Sequence, residues 1–260
     1  KTTRILIITG PTWSWKTTTL YTTLKKLNDG SKKIITLEDP IEYKISGLQQ
    51  SQINYEKGYT YELGLKAILR QDPDIILIWE TRSKETASIA INAALTWHLV
   101  FTTLHTNSAL DSLSRLMNMG IEPYLLTPAL QLLLGQRLVR KVCHHCGKWE
   151  EVSREEDMEI RTKLTEIQQT HPELGTNYQG KIFRWKGCEH CNNSGYLGRI
   201  AIIEILEIND ELKTKLMSGI QGDNIYPLVK SFGFISMQED WILKVVEGVT
   251  DLKEIHRVLY

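Results

Sequence analysis

The sequence lacks any long apolar run, and nothing in it approaches the roughly 18 residues that cross a bilayer as a helix. It also lacks net charge: 31 Lys and Arg balance 31 Asp and Glu. That removes any bulk electrostatic attraction to nucleic acid or to an anionic membrane, and no stripe of basic and aromatic residues restores one locally. The opening Lys1-Thr2-Thr3-Arg4 has no apolar signal-peptide region and runs straight into a core-like strand, as expected of a cut at a domain boundary with sequence missing upstream. Cysteine is scarce, with four in 260 residues, and all four fall in two C-x-x-C pairs. In a cytosolic protein that spacing favours a metal over disulfides. Internal repeats and low-complexity segments are missing too.

What remains is ordinary for a globular chain: 42% hydrophobic and 24% charged residues, long enough for one large core or a core with a smaller satellite. Strands and helices alternate through roughly residue 120, predicting a mostly parallel sheet covered on both faces. The strands are expected at Ile5 to Thr9, Lys33 to Leu37, Ile75 to Ile78 and Leu99 to Leu104. Helices are expected at Thr17 to Leu27, Tyr61 to Gln71, Lys84 to Leu95 and Ala109 to Met119, the last stopped by Gly120. Further helical segments are expected around Leu125 to Leu134 and Gln136 to Val142. From Cys143 the texture turns polar, with a helix at Glu155 to Gln169, and Cys188 to Cys191 leads to a short strand at Arg199 to Leu206. Beyond Asn209, short helices run to Tyr260. These divide the chain into a nucleotide-binding core (1–142), a tetracysteine module (143–200) and a C-terminal strand and helical region (201–260).

The organising stretch is Gly10-Pro11-Thr12-Trp13-Ser14-Trp15-Lys16-Thr17-Thr18-Thr19, between an apolar strand and a helix. Strand, loop, Lys-Thr and helix form the frame of a phosphate-binding P-loop, G-x-x-x-x-G-K-[ST]. Backbone N–H groups and the helix N-terminus cradle phosphates there. Lys16 is placed to reach the β- and γ-phosphates, and Thr17 to ligate magnesium. Gly10, Pro11, Thr12, Ser14, Lys16, Thr17 and Thr18 are the expected ATP–Mg2+ contacts.

Downstream, Asp72-Pro73-Asp74-Ile75-Ile76-Leu77-Ile78-Trp79-Glu80 is an apolar strand ending in a carboxylate, at the sheet edge where ligands bind. Glu80 there could polarise a water or hold magnesium through its shell. Glu38-Asp39-Pro40-Ile41-Glu42 follows the second strand, and Glu38 and Glu42 remain unranked candidates for a general base. His98 and His105 bracket the strand from Leu99 to Leu104 and could sense a γ-phosphate. Cys143, Cys146, Cys188 and Cys191 fit a tetrahedral four-cysteine Zn2+ site, with His144, His145 and His190 as minor ligand candidates.

Together these strings resemble the secretion-ATPase superfamily, specifically the C-terminal ATPase domain of type II secretion and type IV pilus assembly ATPases. The resemblance covers essentially the whole chain. It is carried by the Gly10-to-Thr19 frame, Thr36-Leu37-Glu38-Asp39-Pro40-Ile41-Glu42-Tyr43, Leu69-Arg70-Gln71-Asp72-Pro73-Asp74-Ile75-Ile76, Thr103-Leu104-His105-Thr106-Asn107, Gln136-Arg137-Leu138-Val139-Arg140, the cysteine pairs and Gly195-Tyr196-Leu197-Gly198-Arg199. It implies an α/β, RecA-like P-loop NTPase fold with a mostly parallel sheet, a small tetracysteine zinc module and a helical C-terminal region. It further implies a homohexamer with ATP between subunits. Its partners would be inner-membrane platform and cytoplasmic-ring proteins at the cytoplasmic face, with membrane contact only through them and no nucleic acid. A preceding domain that closes over the nucleotide is expected to be absent. By the same resemblance the catalytic candidates are Glu80, Glu42, Glu38, His98, His105 and Arg82.

The sequence departs from the family where Trp13, Trp15, Trp79 and Trp97 stand at motif glycine positions, with Trp241 as a candidate fifth; Ser83 replaces a customary Asp. Phosphate-loop glycines allow close approach of backbone to ligand and positive φ. A residue with a side chain held in such a conformation costs roughly 1–3 kcal/mol, and overpacking around Trp79 and Trp97 would cost about as much per site. The expectation is therefore a family fold with nucleotide binding and hydrolysis impaired or lost. An ATPase active despite the tryptophans, and a zinc-dependent binding module, are the alternatives.

Overall fold

The computed structural model describes residues 4–220 and 222–258; Lys1-Thr2-Thr3 and Tyr260, which the sequence reading touches, lie outside the described residues. The first half is built on β1 (Arg4–Thr9), α1 (Lys16–Leu27), β2 (Ile34–Glu38), β3 (Gln49–Gln52), α2 (Tyr61–Leu69), β4 (Ile75–Ile78), α3 (Lys84–Leu95) and β5 (Leu99–Leu104). It continues through α4 (Ala109–Asn118), α5 (Pro123–Ala129) and β6 (Leu130–Val142). Strands β2 and β4 are buried along their whole length, which is why β4 reads as an unbroken apolar run and β2 as a mainly apolar one without alternation. The helices start where side chains can cap them: Thr60, Ser83 and Ser108 accept from the backbone N–H three residues on. Ser83 thereby performs the capping role open to an Asp.

The remainder comprises β7 (Gly147–Glu151), α6 (Arg154–Gln168), β8 (Lys181–Trp185), β9 (Tyr196–Glu207), α7 (Asp210–Met217), α8 (Ile225–Ser231), α9 (Met237–Val246) and α10 (Lys253–Val258). Packing divides the chain into two compact units, Lys1–Gly135 with Ile205–Tyr226, and Gln136–Glu204 with Pro227–Tyr260. In the second unit Ile160, Leu164 and Ile167 of α6 pack with Trp241, Ile242 and Val245 of α9.

The main sheet has the order β3-β2-β4-β5-β1-β6-β9, and the pairs β1–β5, β1–β6, β2–β3, β2–β4 and β4–β5 are parallel. Register matters more here than order. Thr9 stands opposite Leu104, Ile78 opposite Thr102, and Leu37 opposite Ile78. The chain therefore leaves β1, β2, β4 and β5 at one common edge.

One expectation fails. The segments 125–134 and 136–142 are not consecutive helices: α5 ends at Ala129 and Leu130 to Val142 form β6. Pro128 inside α5 lacks the N–H a continuing helix needs, and Leu130 to Gly135 find backbone partners along β1 instead. Leucine is a good helix former, but propensity is a weak prior and strand pairing overrides it here. Strands β3, β7 and β8 went unanticipated. The first is Gln-Gln-Ser-Gln, a polar edge paired with β2 that carries no apolar signal.

Candidate functional site

The loops leaving that common edge surround a cleft of about 620 Å³. Thr12, Ser14, Lys16, Thr17 and Thr18 line it from the β1–α1 turn, Asp39 and Glu42 from the β2 end, Glu80 and Arg82 from the β4 end, and Thr103 and His105 from the β5 end. Lys16 is the first residue of α1 and is buried, its ammonium donating to the carbonyls of Gly10 at 2.6 Å and Pro11 at 2.9 Å. Burial lowers its pKa, and the charge of Glu80 opposes that shift. Thr17 and Thr18 follow at the helix N-terminus, with its unpaired N–H groups and partial positive charge.

Glu80 is held from two sides. Arg82 donates to its Oε2 through Nε and Nη2, and His105 Nε2 lies 3.1 Å from its Oε1. The Arg82 pKa is raised, chiefly by that bond to Glu80. His105 is lowered, first by burial and then by the Lys16 charge, with Glu80 pulling the other way. The result is a neutral imidazole at neutral pH whose Nε2–H can donate to Glu80.

Not every candidate reaches the cleft. Glu38 is fully buried, and its carboxylate accepts from Tyr21 Oη, from Thr36 Oγ1 at 2.5 Å and from Gln50 Nε2 at 3.0 Å. These donors sit on α1, β2 and β3, so Glu38 ties three elements together behind the cleft. Burial, then the bond to Glu38, raises the Tyr21 pKa well above the usual phenol range. His98 precedes β5, at the opposite edge of a parallel strand from His105, and its Nδ1 lies 2.9 Å from the Ala93 carbonyl at the end of α3. Asp39, Tyr43 and Thr103 also line the cleft; the sequence places Asp39 in the acidic motif after the second strand and Thr103 beside the two histidines, and only Tyr43 goes without a suggested role. The Asp39 position was legible from the strand-end motif, but the inward turn of Thr103 required the register of β5.

The tryptophans separate into distinct cases. Trp13 and Trp15 line the cleft in left-handed backbone conformations, φ 68° and 63°, with 85% and 44% of their surface exposed. Trp79 also lines the cleft, but its backbone is not left-handed and its ring packs on the core beside Phe101 and Leu77. Trp97 lies at the far edge with φ 75° and is 60% exposed, so no overpacking arises around it.

The second site is the cysteine cluster. The four Sγ atoms of Cys143, Cys146, Cys188 and Cys191 lie within 4.8 Å of one another. The separations are 3.9 Å for 143–188, 3.9 Å for 146–191 and 3.8 Å for 188–191. A disulfide needs about 2.05 Å, whereas a tetrahedron with Zn–S of about 2.3 Å has edges of roughly 3.8 Å. Against burial, the backbone N–H groups of Cys188 and Gly195 bring the Cys191 thiol down to about 6, the state a metal ligand requires. Cys188 goes the other way, up to about 11, with burial the main cause. His145 and His190 stack on each other at 4.2 Å. The donor set and its dimensions fit a zinc ion. A Cβ on Gly195 would fall 1.9 Å from Trp185, so the turn closing this site leaves no room for a side chain.

The sequence matches the family described as "Type II/IV secretion system protein" over residues 1–257. It is 44% identical over 256 residues to the type II secretion system protein E of Dickeya dadantii, covering 98% of this chain and 48% of that protein. It is 41% identical over 252 residues to the type IV pilus assembly ATPase PilB of Thermus thermophilus, covering 96% of this chain and 27% of that one. The chain thus spans half or less of the length of these relatives. Among solved structures, the pilus retraction motor PilT with bound ADP aligns at a TM-score of 0.70 and 25% identity, over 99% of this chain and 61% of that one.

Proposed function

We propose, on the premise that the chain belongs to the Type II/IV secretion system protein family, that it is the ATP-binding motor domain of a secretion or pilus-assembly machine, with its phosphate loop obstructed by Trp13 and Trp15. The observation that supports this best is the convergence of Lys16, Thr17, Glu80, Arg82 and His105 on one cleft at the C-terminal edge of a parallel sheet.

In the proposed mechanism Lys16 exchanges the carbonyls of Gly10 and Pro11 for phosphate oxygens, and the Thr17 hydroxyl holds magnesium. Magnesium, when bound, neutralises charge on the phosphates. Glu80 orients the attacking water, with His105 fixing the direction of its carboxylate. Arg82, whose side chain is 65% exposed, is free to swing from Glu80 to phosphate. Glu42, at the cleft wall, is the second acid in reach; Glu38 braces the fold instead. Trp13 and Trp15 line the cleft beside Lys16 where the phosphates would sit, so affinity falls. The four cysteines hold a structural zinc. We assign it to a homohexamer at the cytoplasmic face of the inner membrane, working on platform and ring proteins, a reading supported by family membership; no helix among the described residues is long and apolar enough to cross a membrane.

Titration with Mg-ATP tests both parts. Weak or no binding is expected for the chain itself, recovery in Trp13→Gly/Trp15→Gly, and loss again when Lys16→Ala is added. Micromolar binding with turnover in the unsubstituted chain, abolished by Lys16→Ala, would overturn the obstruction. A folded double glycine variant blind to ATP would overturn the motor reading.

A further inference from the structure

The helix ends of this chain contain an internal control. Helices α4, α7, α8 and α9 finish in the same way, with paired backbone bonds closing over one left-handed residue. For α4 these are Gly120 N–H to Met117 O and Ile121 N–H to Leu116 O; for α7, Gly219 to Leu216 and Ile220 to Lys215. For α8 they are Gly233 to Lys230 and Phe234 to Val229; for α9, Gly248 to Val245 and Val249 to Lys244. The left-handed residue is glycine each time, with φ 80°, 89°, 83° and 72°. This is the glycine-capped Schellman arrangement, chosen because only glycine enters that region without a Cβ penalty.

Helix α3 ends identically. Trp97 N–H donates to Ala94 O and His98 N–H to Ala93 O, and the left-handed residue, φ 75°, is a tryptophan. Trp15 stands left-handed at the N-cap of α1 without any side-chain cap, and Trp13 is left-handed two residues earlier. The other described non-glycine residues with positive φ are Asp72, Asn192 and Asn193, types that enter this region through local side-chain bonds. No described Tyr or Phe does so, although the chain has 10 and 4 of them. Packing offers little compensation at Trp13 and Trp97, which are 85% and 60% exposed, and only partial cover at Trp15, which is 44% exposed. Three independent substitutions at glycine-type positions would favour Asn and Asp, the side chains that enter this region most readily. Three identical arrivals at the bulkiest side chain point to one shared cause.

We infer that positions 13, 15 and 97 carry glycine in the protein as its own cell makes it, because one codon, UGA, is decoded there as glycine rather than tryptophan. UGA is the suitable codon, since genetic codes differ in reading it as stop, tryptophan or glycine. The consequence reaches the cleft: with glycine at 13 and 15 the loop N–H groups face it unobstructed. The inference rests on backbone geometry alone and stands whether or not the cleft binds ATP.

The test is peptide mass spectrometry of the protein isolated from the cells that encode it, alongside the gene sequence. Peptides spanning 13, 15 and 97 are expected with glycine masses, over UGA at all three codons. Tryptophan masses, or UGG at any of the three, would overturn the inference. The recombinant chain provides a second readout: Trp97→Gly should raise the melting temperature, as relief of a left-handed tryptophan requires. A lower melting temperature would show that position 97 is built for the indole and would count against glycine there.

Discussion

The β1–α1 loop and the cysteine cluster are the two candidate sites of this chain, and they respond to sequence in opposite ways. The cluster is built from side chains. Four Sγ atoms converge within 4.8 Å, and glycines such as Gly195 merely clear space around them. The loop is built from backbone, and its donors are N–H groups that any residue possesses. What matters there is which residues leave those groups approachable and tolerate positive φ. A site made of side chains declares itself by residue identity. A site made of backbone declares itself by what is left out, and here two tryptophans stand at positive φ within the loop.

That contrast can be tested from its strongest side downward. Cys143→Ser should have the largest effect, because binding of structural zinc contributes on the order of 10 kcal/mol. Elemental analysis should show bound zinc falling from about one equivalent, and the second unit should melt early. Unchanged zinc content would break the comparison, since the cluster would then not be a side-chain chelate. Glu38→Ala comes next. It removes the acceptor of the buried Tyr21 and Thr36 hydroxyls, at about 1–3 kcal/mol each, while Gln50 keeps the Tyr43 carbonyl, so denaturant unfolding should show a loss on the order of 3 kcal/mol. Glu80→Ala should cost far less stability, and equal losses would erase the distinction between brace and cleft acid.

Trp13→Gly and Trp15→Gly should each stabilise the chain, by about 1–3 kcal/mol as left-handed strain is relieved; a loss of stability would mean the indoles are integral to the loop. The smallest effect is expected at His105. Its pKa is lowered in the fold, so below an unfolded value of about 6.5 the unfolded chain binds the extra proton, and stability declines as pH falls through that region. NMR titration should place its midpoint below the ordinary histidine value, and Lys16→Ala should move it back up by removing the cationic neighbour.

Much of this was legible in the residues. Apolar runs located β1, β2, β4 and β5 within a residue, and Gly120 marked the end of α4. Lys16, Thr17, Glu80 and His105 were found because each ends or follows a strand whose pattern is strong. Strand β6 was misread because Leu130 to Leu134 suit either a helix or a strand, and only the vacancy beside β1 decides. Glu38 and Glu42 could not be ranked because they belong to one motif. Their difference is that one faces Tyr21 and Gln50 inside the fold while the other faces the cleft.

The sequence by itself determined the family, the parallel alternation and the two ligand frames, since local spacing of Lys-Thr and C-x-x-C is conserved through folding. The tertiary structure alone decided which acids share the cleft and which histidine reaches Glu80. Those facts depend on strand register and backbone dihedrals, which are set by contacts between residues far apart in the chain and so leave no mark in any short stretch of it.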